Sequence, residues 1–184
     1  MMTGKKLVLA SALILAGMCA LPLGVGIYPQ HVLITSLFYV MMASSWNLLA
    51  GYTGQVSFGH AAMAGIGAYT SGILAAKAGV NPWVGVAAGT VLASLLGLGL
   101  GTLCLKMGGI YLSLTTLAFS QILHIIIVNE YAVTRGTMGL QVPGLMDEYS
   151  KLAYYYIMLS AAVLILAILY GMIHSNLGLN FRAV

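Results

Sequence analysis

Residues 47–69 read NLLAGYTGQVSFGHAAMAGIGAY, and they interrupt a chain whose other long stretches are greasy enough to lie in lipid. Gly51, Gly54 and Gly59 permit turns that other residues disfavour, and Gln55, Ser57 and His60 add polarity among them. Non-helical backbone at membrane depth is tolerated only where it is buried in protein or lines a wet cavity, and broken helices of this sort mark many transport sites. Chemistry alone leaves two placements open. One is a headgroup loop, with Ser57 capping the next helix and His60 solvated in its first turn. The other is an irregular element packed inside the protein beside a path, with Ser57 and His60 bordering it.

Composition sets the class. Hydrophobic residues make up 61% of the 184 and charged residues 5%, against roughly 45–50% and about 25% in soluble domains. A hydrocarbon core of about 30 Å takes about 20 helical residues, so the expected fold is all-α, a polytopic transmembrane helical bundle of about six spans forming a single domain over residues 1–184. The net charge of +4 comes from seven scattered Lys and Arg. With no basic run or aromatic-interleaved patch, nucleic acid is not a partner, whereas the lipid membrane is. Cys19 and Cys104 fall within apolar runs, where a thiol behaves as a small hydrophobe. No close-spaced Cys or His pattern points to a metal, and no cofactor is expected.

The apolar runs predict spans at Leu7–Ile27, Val32–Ala50, Phe58–Ala76, Trp83–Leu105, Ile110–Val128 and Ala153–Ile173. With Lys5 and Lys6 cytoplasmic, parity puts Lys106 and Arg182 on the same side, which then carries no acid. Lys77, Arg135 and Lys151 face outward with Glu130, Asp147 and Glu148, an asymmetry that obeys the positive-inside rule. The glycine-rich break then lies toward the cytoplasmic side, and residues 129–151 form an external loop.

Two helices carry distinctive faces. In the fourth span Gly85, Gly89, Ala93, Gly97 and Gly101 recur every fourth residue and form a small-xxx-small stripe that seats a close helix contact. In the fifth, Ser113, Thr116, Ser120 and His124 fall within about 80° of one another at about 100° per residue. That polar stripe fits interhelical hydrogen bonding or the border of a substrate path, and both uses stay open. Catalysis has no candidate residues. The three acids lie in the outer loop, no Ser–His–Asp arrangement exists and no GxxxxGK[ST] loop is present, so ATP would be handled by a partner. A secondary transporter would call for intramembrane acids, which the spans lack. A non-transporting membrane scaffold is the other alternative.

Four blocks carry a family resemblance. Asn47-Leu48-Leu49 with Gly51-Tyr52-Thr53-Gly54, Ser57-Phe58-Gly59-His60-Ala61-Ala62 and Ile66-Gly67-Ala68-Tyr69 resembles the signature of the branched-chain amino-acid ABC transporter permeases of the LivM type. Gly109-Ile110-Tyr111 with Thr116-Leu117-Ala118-Phe119 and Ile122 is similar to that family's "GIY…TLAF..I" helix. Thr134-Arg135-Gly136, Met138-Gly139-Leu140 and Pro143 resemble its outer loop, and Ser175, Gly178, Arg182 and Ala183 resemble the start of its cytoplasmic coupling loop. Met63 and Leu179 depart from the pattern, standing where Phe and a basic residue are common.

The resemblance implies a permease subunit in the bacterial inner membrane, multi-pass, with a cytoplasmic amino terminus. Its implied partners are a second permease, two cytoplasmic ATP-binding subunits and a periplasmic substrate-binding protein. Together they would move leucine, isoleucine or valine by ATP-driven alternating access, with urea or another small amino-acid-like solute as alternatives. It implies that the path runs beside the break and that Gly178, Arg182 and Ala183 begin the ATPase contact. The chain further reads as an amino-terminal portion of such a permease, able to insert but unable to couple to ATP unless another chain supplies the remainder.

Topology is directly testable. An impermeant thiol reagent on intact cells should label Met138→Cys and leave Lys106→Cys untouched, and the reverse pattern would overturn the orientation.

Overall fold

A computed structural model describes residues 15–104, 107–146 and 150–175. Lys5, Lys6, Lys106, Asp147, Glu148 and the coupling-loop residues Gly178, Arg182 and Ala183 lie outside them. Five long helices are described: α1 Ile27–Asn47, α2 His60–Ala78, α3 Pro82–Cys104, α4 Ile110–Asn129 and α5 Lys151–His174. Shorter helical turns sit at Leu21–Leu23, Leu48–Tyr52, Tyr131–Thr134 and Gly136–Met138. The fold is all-α and polytopic, with no strand among the described residues.

Among the described residues four helices are long and apolar enough to cross a membrane: α1 with its π-helical extension to Tyr52, α3, α4 and α5. This is fewer than the six spans expected, for two reasons. The first span is described only from residue 15, and its helix ends at Ala20. The third has the length as α2, 19 residues, but its glycines and its His, Ser, Thr and Lys residues hold down its hydropathy.

The chain divides into two compact units. In the first, residues 15–20 are helical and give way to a 3-10 turn at Leu21–Leu23 instead of running on to Ile27. Pro22 is the cause: it has no N–H to give the carbonyl of Met18 four residues back. The orphaned oxygen takes a hydrogen bond from the Tyr155 hydroxyl at 2.8 Å, and Tyr156 donates to the next carbonyl, Cys19, at 3.0 Å. Gln30 Nε2 donates to Pro22 O at 2.9 Å. Around this clamp Tyr155, Leu159 and Ala162 of α5 bury against Leu37 of α1.

The second unit is built on an antiparallel hairpin of α2 and α3. Its turn is specified locally: Gly79 ends α2 in the left-handed region at φ 62°, and Asn81 Oδ1 accepts from Trp83 N at 3.0 Å, ahead of Pro82 in the first turn of α3. The stripe on α3 meets α2 over its first half. A β-carbon on Gly85 would stand 3.0 Å from the carbonyl oxygen of Ser71, and one on Gly89 would overlap the carbonyl of Gly67. Ala93 follows alongside Gly67. Gly97 comes no closer than ordinary contact, 3.8 Å from the flexible thioether of Met63, and Gly101 has nothing within 4 Å. Close approach is therefore centred on Gly89, and the helices separate toward Gly101.

The loop after α4 returns across this hairpin. Lys77 Nζ donates to the carbonyl of Ala132, which puts the end of α2 and the Tyr131–Thr134 turn at one end of the unit. Leu140 and Val142 lie so close to Gly72 that a β-carbon there would stand 3.2 and 3.1 Å from them.

Gly89→Ala should lower the thermal midpoint of the purified protein even though alanine is the better helix former by about 1 kcal/mol, because overpacking at a backbone contact costs about 1–3 kcal/mol or more. Gly101→Ala should leave it unchanged or raise it. Equal behaviour of the two variants would show that α2 and α3 do not meet at Gly89.

Candidate functional site

The glycine-rich break begins where α1 loosens into the π-helical turn Leu48–Tyr52. Thr53 closes that turn, donating from both N (3.2 Å) and Oγ1 (2.6 Å) to Leu49 O. Gly54 then takes φ 68°, a conformation that turns the chain away and suits glycine. From here to His60 the backbone is irregular, so each of its polar groups needs a partner from elsewhere.

The polar stripe of α4 supplies three of them. Ser113 Oγ donates to Val56 O at 2.7 Å, and Ser120 Oγ donates to Phe58 O at 2.8 Å. Between them Thr116 Oγ1 accepts from Phe58 N at 3.0 Å. The Thr116 hydroxyl proton points back into its own helix, toward Leu112 O at 2.9 Å or Ser113 O at 3.1 Å, which frees a lone pair for Phe58. Trp46 Nε1 donates to Ser57 O at 3.0 Å, Ser57 Oγ accepts from Gly59 N at 3.2 Å, and Gly59 O accepts from Met63 N in the first turn of α2 at 3.1 Å. Ser57 thus serves the neighbouring amide, and the helix-capping position falls to Gly59. Ser57 and Thr116 are buried at 7% and 3% exposure, so the Gly59 N–Ser57 Oγ bond is made out of solvent, while those of Ser113 and Ser120 lie at the exposed edge.

Three of the four stripe residues therefore act on backbone. Because Ser120 stands ten residues beyond Ile110 in a helix of 20, the irregular segment is carried about 15 Å along α4 at roughly 1.5 Å per residue. His124, one turn further on, is exposed and takes no part in the network. His60 opens α2 beside the break, and its Nδ1 is buried without a hydrogen-bond partner among the described residues. Such an orphan costs about 1–3 kcal/mol. The hydroxyl pattern passed over Trp46, for which a tryptophan just upstream of a glycine-rich break was the available signal.

The loop after α4 is fixed by similar chemistry. Thr134 Oγ1 donates toward Ile127 O (2.5 Å) or Glu130 O (2.8 Å) and accepts from Gly136 N at 3.1 Å. Arg135 is held at φ 61°. A β-carbon on Gly136 would stand 2.6 Å from Val128 O, which accounts for glycine after Thr134-Arg135. Among the described residues no group of His, Cys, Asp and Glu could hold a metal ion, and Cys19 and Cys104 are free thiols.

An all-helical, polytopic chain with four span-length apolar helices and a broken helix secured by hydroxyls on its neighbour is a multi-pass membrane protein, of the class that supplies transport permeases. Residues 28–184 match the family described as branched-chain amino acid transport system / permease component, and the chain belongs to that family. It is 29% identical over 140 residues to the high-affinity branched-chain amino acid transport system permease protein LivM of Escherichia coli (strain K12), a match covering 76% of this chain and 32% of that protein. Identity to the LivM protein of Salmonella typhimurium (strain LT2) is 28% over the same length. The chain thus spans about a third of the length of these curated relatives. No solved structure matches it.

Thr116→Val keeps the shape of the side chain but removes the acceptor for Phe58 N. It should destabilise the detergent-solubilised protein by about 1–3 kcal/mol, with Thr116→Ser restoring most of the loss and the neighbouring Thr115→Val nearly neutral. Equal thermal midpoints for Thr116→Val and wild type would show that the break is held by something else.

Proposed function

We propose that this chain acts in a membrane permease subunit of an ABC importer for branched-chain amino acids, carrying solute from a periplasmic binding protein to the cytoplasm. The observation that carries this reading is family membership across residues 28–184. A second, related permease and two cytoplasmic ATP-binding subunits complete the assembly in the bacterial inner membrane, with the amino terminus of this chain in the cytoplasm. The relatives it matches are named for branched-chain amino acid transport, and that supports leucine, isoleucine and valine as the solutes.

Transport proceeds by alternating access. ATP binding and hydrolysis on the partner subunits favour one permease arrangement and then the other, since a partner shifts such an equilibrium only through differential contacts with the two states. Gly178, Arg182 and Ala183 begin the segment that meets the ATPase. The path runs beside the break. Ser57, Ser113, Thr116 and Ser120 keep the broken helix in place there, and His60 and His124 border the path itself. The buried, unpartnered Nδ1 of His60 supports that assignment, because packing alone does not explain an uncompensated polar atom. Gly85 and Gly89, with Ala93 beside them, serve the packing of α3 on α2.

Reconstituted in proteoliposomes with the partner permease, both ATPases and the binding protein, the subunit should give uptake of labelled leucine that needs both ATP and the binding protein. Uptake that continues without ATP, or that is driven by an ion gradient, would overturn the importer reading.

A further inference from the structure

Polar side chains on span-length helices have few ways to be satisfied in lipid, and five of those here use the same one. Thr35, Ser36 and Ser44 on α1 and Thr90 and Ser94 on α3 each turn the hydroxyl onto the carbonyl four residues back, at 2.7–3.0 Å. They make no demand on their surroundings. Gln121 and His124 of α4 differ. Both are exposed, and among the described residues neither side chain has a hydrogen-bond partner. They stand 11 and 14 residues beyond Ile110 in a helix of 20, about 16 and 21 Å along it. An unsatisfied carboxamide in hydrocarbon costs several kcal/mol, so this part of α4 must face a polar occupant.

Their placement narrows what that occupant is. At about 100° per residue the two lie about 60° apart, with Cβ atoms about 5–6 Å from each other, and His124 borders the Ser120 side of the helix that grips the break. Ala118, Ile122, Ile125 and Ile126 form the opposite, wholly apolar face. His124 therefore lies at the edge of the packed face, and Gln121 lies between His124 and the apolar face, one turn before Ile125. Within Ile110–Asn129 there is no Asp, Glu, Lys or Arg, so a solute of net charge would find no compensation. A small zwitterion would, since the carboxamide and the imidazole can each donate and the carboxamide oxygen can also accept.

We propose that Gln121 joins His124 as a polar contact in the translocation path for the ammonium–carboxylate end of a small zwitterionic solute. Gln121 Nε2 and an imidazole N–H donate to the carboxylate, and Gln121 Oε1 accepts from the ammonium. The proposal rests on the importer reading above and names the part of the solute that α4 recognises. Binding of this kind is neutral toward the side chain of the solute, which leaves discrimination to other parts of the system.

The test uses the assembled transporter in membranes, with Cys19 and Cys104 replaced by Ala and single cysteines introduced as Gln121→Cys, His124→Cys and Ile122→Cys. A charged methanethiosulfonate should modify positions 121 and 124 and spare 122, and L-leucine should slow modification at 121 and 124 several-fold. Gln121→Met, which keeps the length of the side chain, should raise the KM for leucine several-fold while leaving co-purification of the partner subunits unchanged. Three results would overturn the proposal alone: no modification at 121 or 124, as expected if a helix of another subunit covers them; modification that L-leucine does not slow; or an unchanged KM in Gln121→Met. Absence of ATP-dependent leucine uptake by the unaltered transporter would overturn the importer reading and this proposal with it.

Discussion

The irregular backbone from Val56 to Phe58 must have its N–H and C=O groups satisfied without help from a helix of its own, and the second unit is organised around meeting that demand. Val56 O, Phe58 N and Phe58 O are met by Ser113, Thr116 and Ser120, and Ser57 O by Trp46. Leaving any one of them unpaired in an apolar setting costs several kcal/mol, more than a typical side-chain contact contributes. The register between the break and α4 is therefore the least negotiable contact in the unit. It fixes where α2 begins, and the position of α2 decides which of its residues face the glycines of α3. That hairpin in turn presents Gly72 to Leu140 and Val142 of the loop after α4.

The first unit solves a related problem with different residues. Pro22 removes an amide from the end of the helical segment 15–20, and the carbonyls of Met18 and Cys19 are met by Tyr155 and Tyr156 across the unit. A phenol suits this task because its hydroxyl stands far from its own backbone and cannot fold back on it. The ring meanwhile fills the space between helices, and Tyr155 is 1% exposed. In both units a break in a helix is matched by side-chain donors on a neighbouring helix, as expected where water is unavailable to solvate exposed carbonyls.

Much of this was legible in the sequence, and the limits have physical causes. Apolar run length placed α3 and α4 within a residue or two, because nothing competes with helix formation inside a long apolar run. It overran at Ile27, since hydropathy does not register the amide that Pro22 lacks, and it started α1 late, since Pro29 is harmless in a first helical turn. The spacing of Ser113, Thr116 and Ser120 disclosed a common face but not what the face holds. Periodicity records direction around one helix, while the partner is a segment more than fifty residues away in the chain. The stripe on α3 was legible as five small residues, yet its close contact is confined to Gly85 and Gly89, a limit set by how two helices cross.

The choice of hydroxyls for the grip on the break follows from how such a helix enters a membrane. Before the break docks, α4 must exist as a span with its polar side chains in an apolar environment, and an unsatisfied group at that stage would oppose insertion. Serine and threonine can turn onto their own helix's carbonyls at i−4 or i−3, as Thr90, Ser94 and Thr102 do on α3. Ser113 and Ser120 have that option while the break is absent and then exchange an intrahelical acceptor for Val56 O or Phe58 O. Thr116 need not exchange at all, because it keeps its intrahelical bond and adds Phe58 N as a donor. Asparagine or glutamine at these positions would carry two amide donors into lipid without an equivalent retreat. A Ser/Thr grip therefore satisfies the backbone of the break in the folded state without penalising the isolated helix. The same reasoning sets Gln121 and His124 apart, since the demand they carry is met by nothing on α4 itself.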